Sequence, residues 1–256
     1  MIPKTIHYCW FGGNTLPKLA VKCIKSWEKY CPEYEIVEWN EQNFDIDASP
    51  LYVRQAYEAK KWAFVSDYAR LKILYEHGGV YLDTDVEVIK KLDRFLDCMA
   101  FFGIEADTTG IYVATGLGFG AEKHAEVLLR MLREYDGIPF LREDGSFDST
   151  ACPTRNTKAM LDLGFVREDR CQQLAGNINI YASEYFCPKS FHDGSVRKTK
   201  NSYTIHHYSA SWYTEKERAA IRAKRKKLRR KRIPITIAKK VLGEKLYEGI
   251  RRMLKG

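Results

Sequence analysis

The chain has 256 residues, 45% of them hydrophobic, and a formal net charge of +9. That is enough to bury a sizeable core in one large domain, with or without an appendage, and no disulfide framework is needed to stabilise it. No apolar run is long enough to cross a bilayer, and the seven cysteines form no CxxC pair.

The elements follow in chain order. Met1-Ile2-Pro3-Lys4 leads directly into a strand-like run, Thr5 to Trp10, that ends at Phe11-Gly12-Gly13. Read this way the chain opens without a signal peptide, and a reduced cytoplasmic protein is expected. Leu19, Cys23 and Trp27 fall at helical spacing, and Tyr34 to Trp39 reads as a second strand. Helical periodicity runs from Tyr52 to His77, with Gly78 as the stop. The strand Val80–Leu82 follows, then strands at Ala100–Ile104 and near Leu117–Gly120. Helices are expected at His124–Tyr135 and Thr157–Leu163, and a late strand at Tyr203–Tyr208. Strands alternating with helices predict a single α/β domain around a mainly parallel sheet, with ligands at the carboxyl ends of the strands.

Charge is unevenly spread. Residues 214–256 hold 17 Lys/Arg against 4 Asp/Glu, leaving 25 basic and 29 acidic residues in the rest. A mildly acidic body thus carries a basic tail, whose expected partner is anionic. The tail divides at Pro234. Thr214 to Arg232 reads as a basic helix, and Ala238, Val241, Leu242, Leu246, Ile250 and Leu254 then form an apolar stripe flanked by lysines and arginines.

Four clusters carry chemistry. In Gly78-Gly79-Val80-Tyr81-Leu82-Asp83-Thr84-Asp85, two carboxylates stand two residues apart at the end of a short apolar strand. In extended backbone they point the same way and repel unless a cation lies between them. A divalent ion there could hold a diphosphate. A bare DxD is common and also reads as a polar turn, so its placement after a Gly-Gly break carries the argument. Next, Asp67 and Arg70 sit at i and i+3 on one helix face. They are either a surface ion pair or a sugar-binding pair, Arg offering a planar donor fork and Asp accepting from hydroxyls. Third, His206-His207 precede Tyr208-Ser209-Ala210-Ser211-Trp212. Neighbouring strand residues face opposite ways, so one of the two can reach a given metal. Carboxylates with an imidazole suit Mn²⁺ better than Mg²⁺. Fourth, His7, Tyr8 and Trp10 lie at the end of the first strand, where core packing is the default and stacking on a nucleobase the alternative.

Together these segments resemble glycosyltransferase family 32, which includes bacterial capsule and surface-polysaccharide transferases and the yeast initiating α-1,6-mannosyltransferase. The family's sugar-binding region is similar to the catalytic domains of clostridial glucosylating toxins. The resemblance rests on Ile2 to Gly13, Ser26-Trp27, Pro32-Glu33-Tyr34, Ala63 to Arg70, Gly78 to Glu87, and His206 to Trp212. It implies a GT-A fold over residues 1–213, with residues 214–256 as a basic amphipathic tail. It also implies a UDP- or GDP-hexose donor, a divalent ion (Mn²⁺ or Mg²⁺) and retention of anomeric configuration. Carried across, Trp10 would stack on the base, and Asp67 and Arg70 would bind the sugar. Asp83 would contact ribose, sugar or the metal shell, and Asp85 would ligate the metal. His207, Ser211 and Trp212 would close over the diphosphate, with His207 at the metal. One departure is visible: related enzymes often carry an Asn facing the sugar, and Val113 to Gly120 contains none, with Thr115 the nearest substitute.

The expected reaction is transfer of a hexose to a hydroxyl of a glycan in capsular or other surface polysaccharide assembly. Docking of the tail on an anionic membrane would place the enzyme peripherally on the cytoplasmic face, near a lipid-linked acceptor. Two rivals stand beside it. A metal-dependent phosphohydrolase also uses paired Asp residues. A nucleic-acid-binding protein acting through the tail is disfavoured by the acidic body and the lack of a recognisable nucleic-acid fold.

Overall fold

The computed structural model describes residues 1–209, 216–217 and 219–228. It divides into two compact units, residues 1–189 with 197–212, and residues 190–196 with 213–256.

The first unit is built on a seven-stranded sheet in the order β2-β1-β3-β6-β5-β8-β7. These strands are β1 (Thr5–Cys9), β2 (Glu35–Trp39), β3 (Gly79–Tyr81), β5 (Ala100–Ala106), β6 (Ile111–Ala121), β7 (Gln172–Leu174) and β8 (Ile178–Tyr181). From the ladders β1–β2, β1–β3 and β5–β8, which are parallel, five strands run one way, and β6 and β7 run against them. This is the α/β layered arrangement expected, with a mainly parallel sheet. The carboxyl ends of β1, β2, β3, β5 and β8 share one edge. A separate two-stranded sheet pairs β4 (Val86–Val88) with β9 (Thr204–His206), antiparallel.

Helices α1 (Lys18–Tyr30), α2 (Leu51–Glu58), α3 (Trp62–His77), α4 (Glu126–Arg133), α5 (Cys152–Leu161) and α6 (Ser183–Phe186) cover the sheet. The single helix expected from Tyr52 to His77 is two. Lys60 adopts a positive φ of 56° and breaks the run between α2 and α3, although the apolar spacing continues across the break. Gly78 does end α3, its N–H bonding the Leu74 carbonyl at 2.8 Å. Helix α5 starts at Cys152, five residues before the Thr157 expected, because Pro153 suits the first turn, where its missing N–H costs no bond. The short strands β4, β7 and β8 gave no usable pattern: three or four residues are too few for alternation to register.

Two local features aim the site. Between the pairs Phe102↔Phe119 and Gly103↔Ala114 the β5–β6 register shifts, so residues 115–118 of β6 bulge from the ladder. The bulge lies over the end of β3, where the Asp83 N–H reaches the Gly116 carbonyl at 3.4 Å. On the other side, α1 fastens β4. Fully buried Trp27 donates its indole N–H to the Val86 carbonyl at 2.7 Å, and Ser26 Oγ accepts from the Val88 N–H at 2.9 Å. The chain leaving Asp85 is thereby fixed.

In the second unit, Ser190 to Val196 forms a tight loop closed by the Ser190 N–H on the Ser195 carbonyl at 2.9 Å. Residues 219–228 are helical, and Arg225 donates to the Phe191 carbonyl at 2.9 Å while lying 5.0 Å over its ring. The apolar stripe expected after Pro234 lies outside the described residues.

Trp27→Phe removes the donor to Val86 and leaves a buried carbonyl unpaired, at a cost of roughly 1–3 kcal/mol. Urea unfolding of the variant is expected to show a lower midpoint with an unchanged slope; an unchanged midpoint contradicts this fastening role.

Candidate active site

Arg70 is the centre of the site. It sits on α3, is 5% exposed, and stands 5.1 Å over the Tyr81 ring. Its Nη2 bonds Asp67 Oδ1 at 3.0 Å and Asp83 Oδ1 at 3.1 Å, and its Nε donates to the Ser66 carbonyl at 3.1 Å. The pair read as i, i+3 on one helix face is therefore no surface ion pair: one guanidinium ties α3 to the end of β3. Burial would weaken the Arg70 charge, but Asp83, Tyr81 and Asp67 raise its pKa well above the ordinary value. Asp67 is pushed up to about 6 by burial, partly offset by Arg70. Asp83 is also raised, by burial first, with Arg70 pulling down and Asp85 repelling.

The second carboxylate has its own cation. Asp85, 7% exposed, meets His206 through Oδ1 and Nε2 at 3.1 Å, and its Oδ2 accepts the Ser209 N–H at 2.6 Å. Burial alone would raise Asp85, but His206 and the Ser209 N–H outweigh it and hold the carboxyl well below its usual range. Burial likewise opposes the charge on His206, and Asp85 overcomes it, so the imidazole is raised above 6.5. Nδ1 of His206 is buried with no hydrogen-bond partner. Asp83, Asp85 and His206 each present a ligand atom, and all three atoms lie within 4.8 Å of one another. Two oxygens and one imidazole nitrogen at that spacing fit a divalent ion, with Mn²⁺ well matched.

The histidine at this cluster is His206, not the expected His207. The β4–β9 ladder pairs Val86 with His206, which brings the latter beside Asp85. His207 faces the other way: its Nε2 lies 2.7 Å from Glu87 Oε2 and its Nδ1 3.5 Å from Lys189 Nζ. A shift of one residue along a strand reverses the face, so sequence adjacency could not settle which histidine serves.

At the end of β1 the expected nucleobase contacts separate. Trp10 is half-buried at the strand end, its indole N–H on the Asn14 carbonyl at 2.6 Å. His7 and Tyr8 are committed elsewhere. Trp39 donates to His7 Nδ1 at 3.0 Å, so Nε2 carries the proton and donates to the Gly78 carbonyl at 3.0 Å. Burial lowers that imidazole to about 4, and it stays neutral. The Tyr8 hydroxyl donates to Glu38 at 2.6 Å while its ring packs edge-on against Trp27. Both are buried structural side chains, as their position inside a central strand dictates. Ser211 and Trp212 lie outside the described residues.

Apart from Thr115, the nearest stand-in for the absent Asn, other residues at the site carried no signal in the sequence. Gly116 presses its backbone against the Asp83 carboxylate, and any side chain there would collide with it. Thr115, Cys152 and Asn156, all buried, form a polar cluster on the far side of Arg70. Cys152 and Asn156 lie one turn apart on α5, with Thr115 37 and 41 residues before them, and α5 is held against β6 where Thr157 Oγ1 accepts the Val113 N–H at 2.8 Å.

Residues 17–102 match the family described as the glycosyltransferase sugar-binding region containing DXD motif. Asp67, Arg70, Asp83 and Asp85 all fall inside that match, and the resemblance read from the sequence stands. An inositol phosphoceramide mannosyltransferase 3 of Schizosaccharomyces pombe is 35% identical over 99 residues, 37% of this chain and 27% of that protein. A glycosyltransferase, L373, of Acanthamoeba polyphaga mimivirus is 33% identical over 111 residues, 40% of this chain and 43% of that protein. The chain thus spans less than half the length of these relatives. Among solved structures, the PaToxG glycosyltransferase superposes with a TM-score of 0.47 at 16% identity, covering 63% of this chain and 69% of that one.

The His206–Asp85 pair sets a pH dependence. His206, raised, contributes fully below its unfolded value near 6.5 and loses its contribution as pH rises through the folded value; Asp85, lowered, contributes above about 3.9 and loses it as pH falls. The pair is therefore at full strength from about pH 4 to about 6.5 and weakens on the alkaline side. In chelator-treated buffer, the stability advantage of wild type over His206→Gln is expected to be largest near pH 5–6 and to shrink toward pH 9. A difference that is flat with pH contradicts the pairing.

Proposed function

We propose that this protein is a metal-dependent glycosyltransferase. It moves a hexose from a nucleoside-diphosphate sugar to a hydroxyl of a glycan, with retention of configuration, in surface-polysaccharide assembly. The observation that carries this is the placement of Asp83, Asp85 and His206 beside the Asp67–Arg70 pair, at the edge where five strands end. In α/β sheets that edge is where ligands bind.

Asp83, Asp85 and His206 would hold the divalent ion, and His206 gives up its bond to Asp85 to do so. When bound, the ion supplies positive charge against the leaving diphosphate. Arg70 and Asp67 orient the sugar ring through its hydroxyls, which converts binding into alignment of the reacting carbon. Trp10 stands at the end of β1 to receive the base. Asp67 and Asp83 are both tied to the Arg70 guanidinium, which makes each a poor nucleophile; that supports attack from the same face as departure, assisted by the leaving phosphate.

The division into a catalytic domain (1–213) and a basic tail (214–256) is part of this reading. The tail's charge supports docking on an anionic membrane close to a lipid-linked acceptor. No helix among the described residues is long and apolar enough to cross a membrane.

A panel of UDP- and GDP-hexoses with and without Mn²⁺ or Mg²⁺ tests the reaction. Metal-dependent turnover is expected, with Asp85→Ala and His206→Ala each losing more than about 100-fold, beyond what loss of a supporting contact around a metal costs. Wild-type turnover by Asp85→Ala, or release of inorganic phosphate with no sugar transferred, contradicts it. For the tail, truncation after Tyr213 is expected to abolish sedimentation with phosphatidylserine vesicles and to leave donor turnover in solution intact. Unchanged vesicle binding, or salt-sensitive RNA binding that survives loss of Asp83 and Asp85, argues against the membrane role.

A further inference from the structure

One buried cluster beside the site is unexplained by metal or diphosphate binding. Cys152 opens α5 and is 5% exposed. Its Sγ lies 3.2 Å from Thr115 Oγ1, 3.1 Å from Asn156 Nδ2 and 3.9 Å from Arg70 Nη1. Asn156 Nδ2 also donates to Thr115 Oγ1 at 3.0 Å. Thr115 and Asn156 are fully buried. Cys152 is also close enough to the Asp67 carboxylate to pull its pKa down against the upward push of burial. The thiol itself is pushed up to about 12, chiefly by burial, so it is a neutral S–H rather than a nucleophile.

The donors of Arg70 show what the cluster does. Nε donates to Ser66 and Nη2 pairs with the two carboxylates, whereas among the described residues Nη1 meets only the sulfur, at 3.9 Å. Sulfur is a weak acceptor. A second group is similarly underused: Asn156 Oδ1 is buried with no hydrogen-bond partner among the described residues. Buried polar groups are nearly always paired, so unspent capacity next to a ligand site marks where a ligand's polar groups go.

From this geometry we infer that Cys152 is a positioning residue of the donor-sugar subsite. It holds Asp67 and Arg70 in place through a soft contact that leaves Arg70 Nη1 available to a sugar hydroxyl. Its anchorage on Thr115 and Asn156 sets which hydroxyl stereochemistry the pair accepts. In this chain the side of the sugar subsite away from the metal is thus built by a thiol, a hydroxyl and an amide. Serine at position 152 would place a strong, shorter-reaching hydroxyl there. It would reach Asn156 less well than the sulfur does at 3.1 Å and would lose the longer 3.9 Å contact with Arg70. Alanine would remove the sulfur that Asn156 donates to and that Arg70 Nη1 meets, while Asp67 keeps its pairing with Arg70.

The inference rests on the transferase reading, and the test separates the two. Cys152→Ser and Cys152→Ala are compared with wild type for three quantities: affinity for the nucleoside diphosphate with Mn²⁺, KM and kcat for the preferred nucleotide-sugar, and the kcat/KM ratio between that donor and its epimers. Both variants are expected to bind nucleoside diphosphate within twofold of wild type. The donor KM should rise roughly tenfold, the upper range for one hydrogen bond, and epimer discrimination should narrow. Unchanged KM and discrimination in both variants overturn the inference. So does a loss of nucleoside diphosphate affinity in step with donor affinity, which would mean general damage to the fold. Wild type that binds no nucleotide-sugar overturns the transferase reading itself, whatever the variants do.

Discussion

Two carboxylates at the end of β3 can lie together inside this protein only because each has its own cation. Arg70 stands against Asp83 at 3.1 Å and His206 against Asp85 at 3.1 Å. Without those partners the desolvation of two like charges would push one of them to protonate. The rest of the local structure serves that arrangement. Helix α3 delivers Arg70 and its second partner Asp67. The β4–β9 ladder delivers His206, and α1 clamps β4 through Trp27 and Ser26. The bulge in β6 brings Gly116 so close that only a glycine fits beside Asp83.

The two pairs differ in character. Arg70 is permanently charged and shared between two carboxylates, so it is a fixed strut. His206 can give up its proton, and Asp85 can exchange it for another cation. The site therefore combines a rigid half, suited to gripping a neutral sugar by its hydroxyls, with an exchangeable half, suited to a metal and an anionic diphosphate. Asp83-Thr84-Asp85 is itself a turn after β3, and the two buried cation partners are what set it apart from a solvated one.

Much of this was legible in the sequence because it is local. Asp67 and Arg70 share a face by helix periodicity, whereas Asp83 and Asp85 meet for a reason other than the extended backbone expected: β3 ends at Tyr81, and Asp83 to Val86 is a turn closed by the Val86 N–H on the Asp83 carbonyl at 2.9 Å. Trp10 was legible as a strand-end aromatic, but His7 and Tyr8 were not separable from it: whether a side chain inside a strand is spent on neighbours depends on β2 and on Trp39 and Glu38. The choice between His206 and His207 turned on register, which reverses with a single residue and is set by pairing with β4 across more than a hundred residues. The break at Lys60 was hidden because apolar spacing continued through it. Thr115 stood out only as the nearest stand-in for a missing Asn, and Cys152 and Asn156 gave no signal, since their meeting with Thr115 depends on how β6 packs against the start of α5.

The central claim is that Asp83, Asp85 and His206 form one cation site facing a nucleotide-sugar cleft. Anomeric scattering from a crystal grown with Mn²⁺ and a nucleoside diphosphate tests it most directly. The account predicts a single manganese peak within about 2.5 Å of Asp85 and of His206 Nε2, with His207 still on Glu87 and the diphosphate on the metal's open side. A peak at His207, or none at this cluster with the nucleotide bound elsewhere, would contradict it.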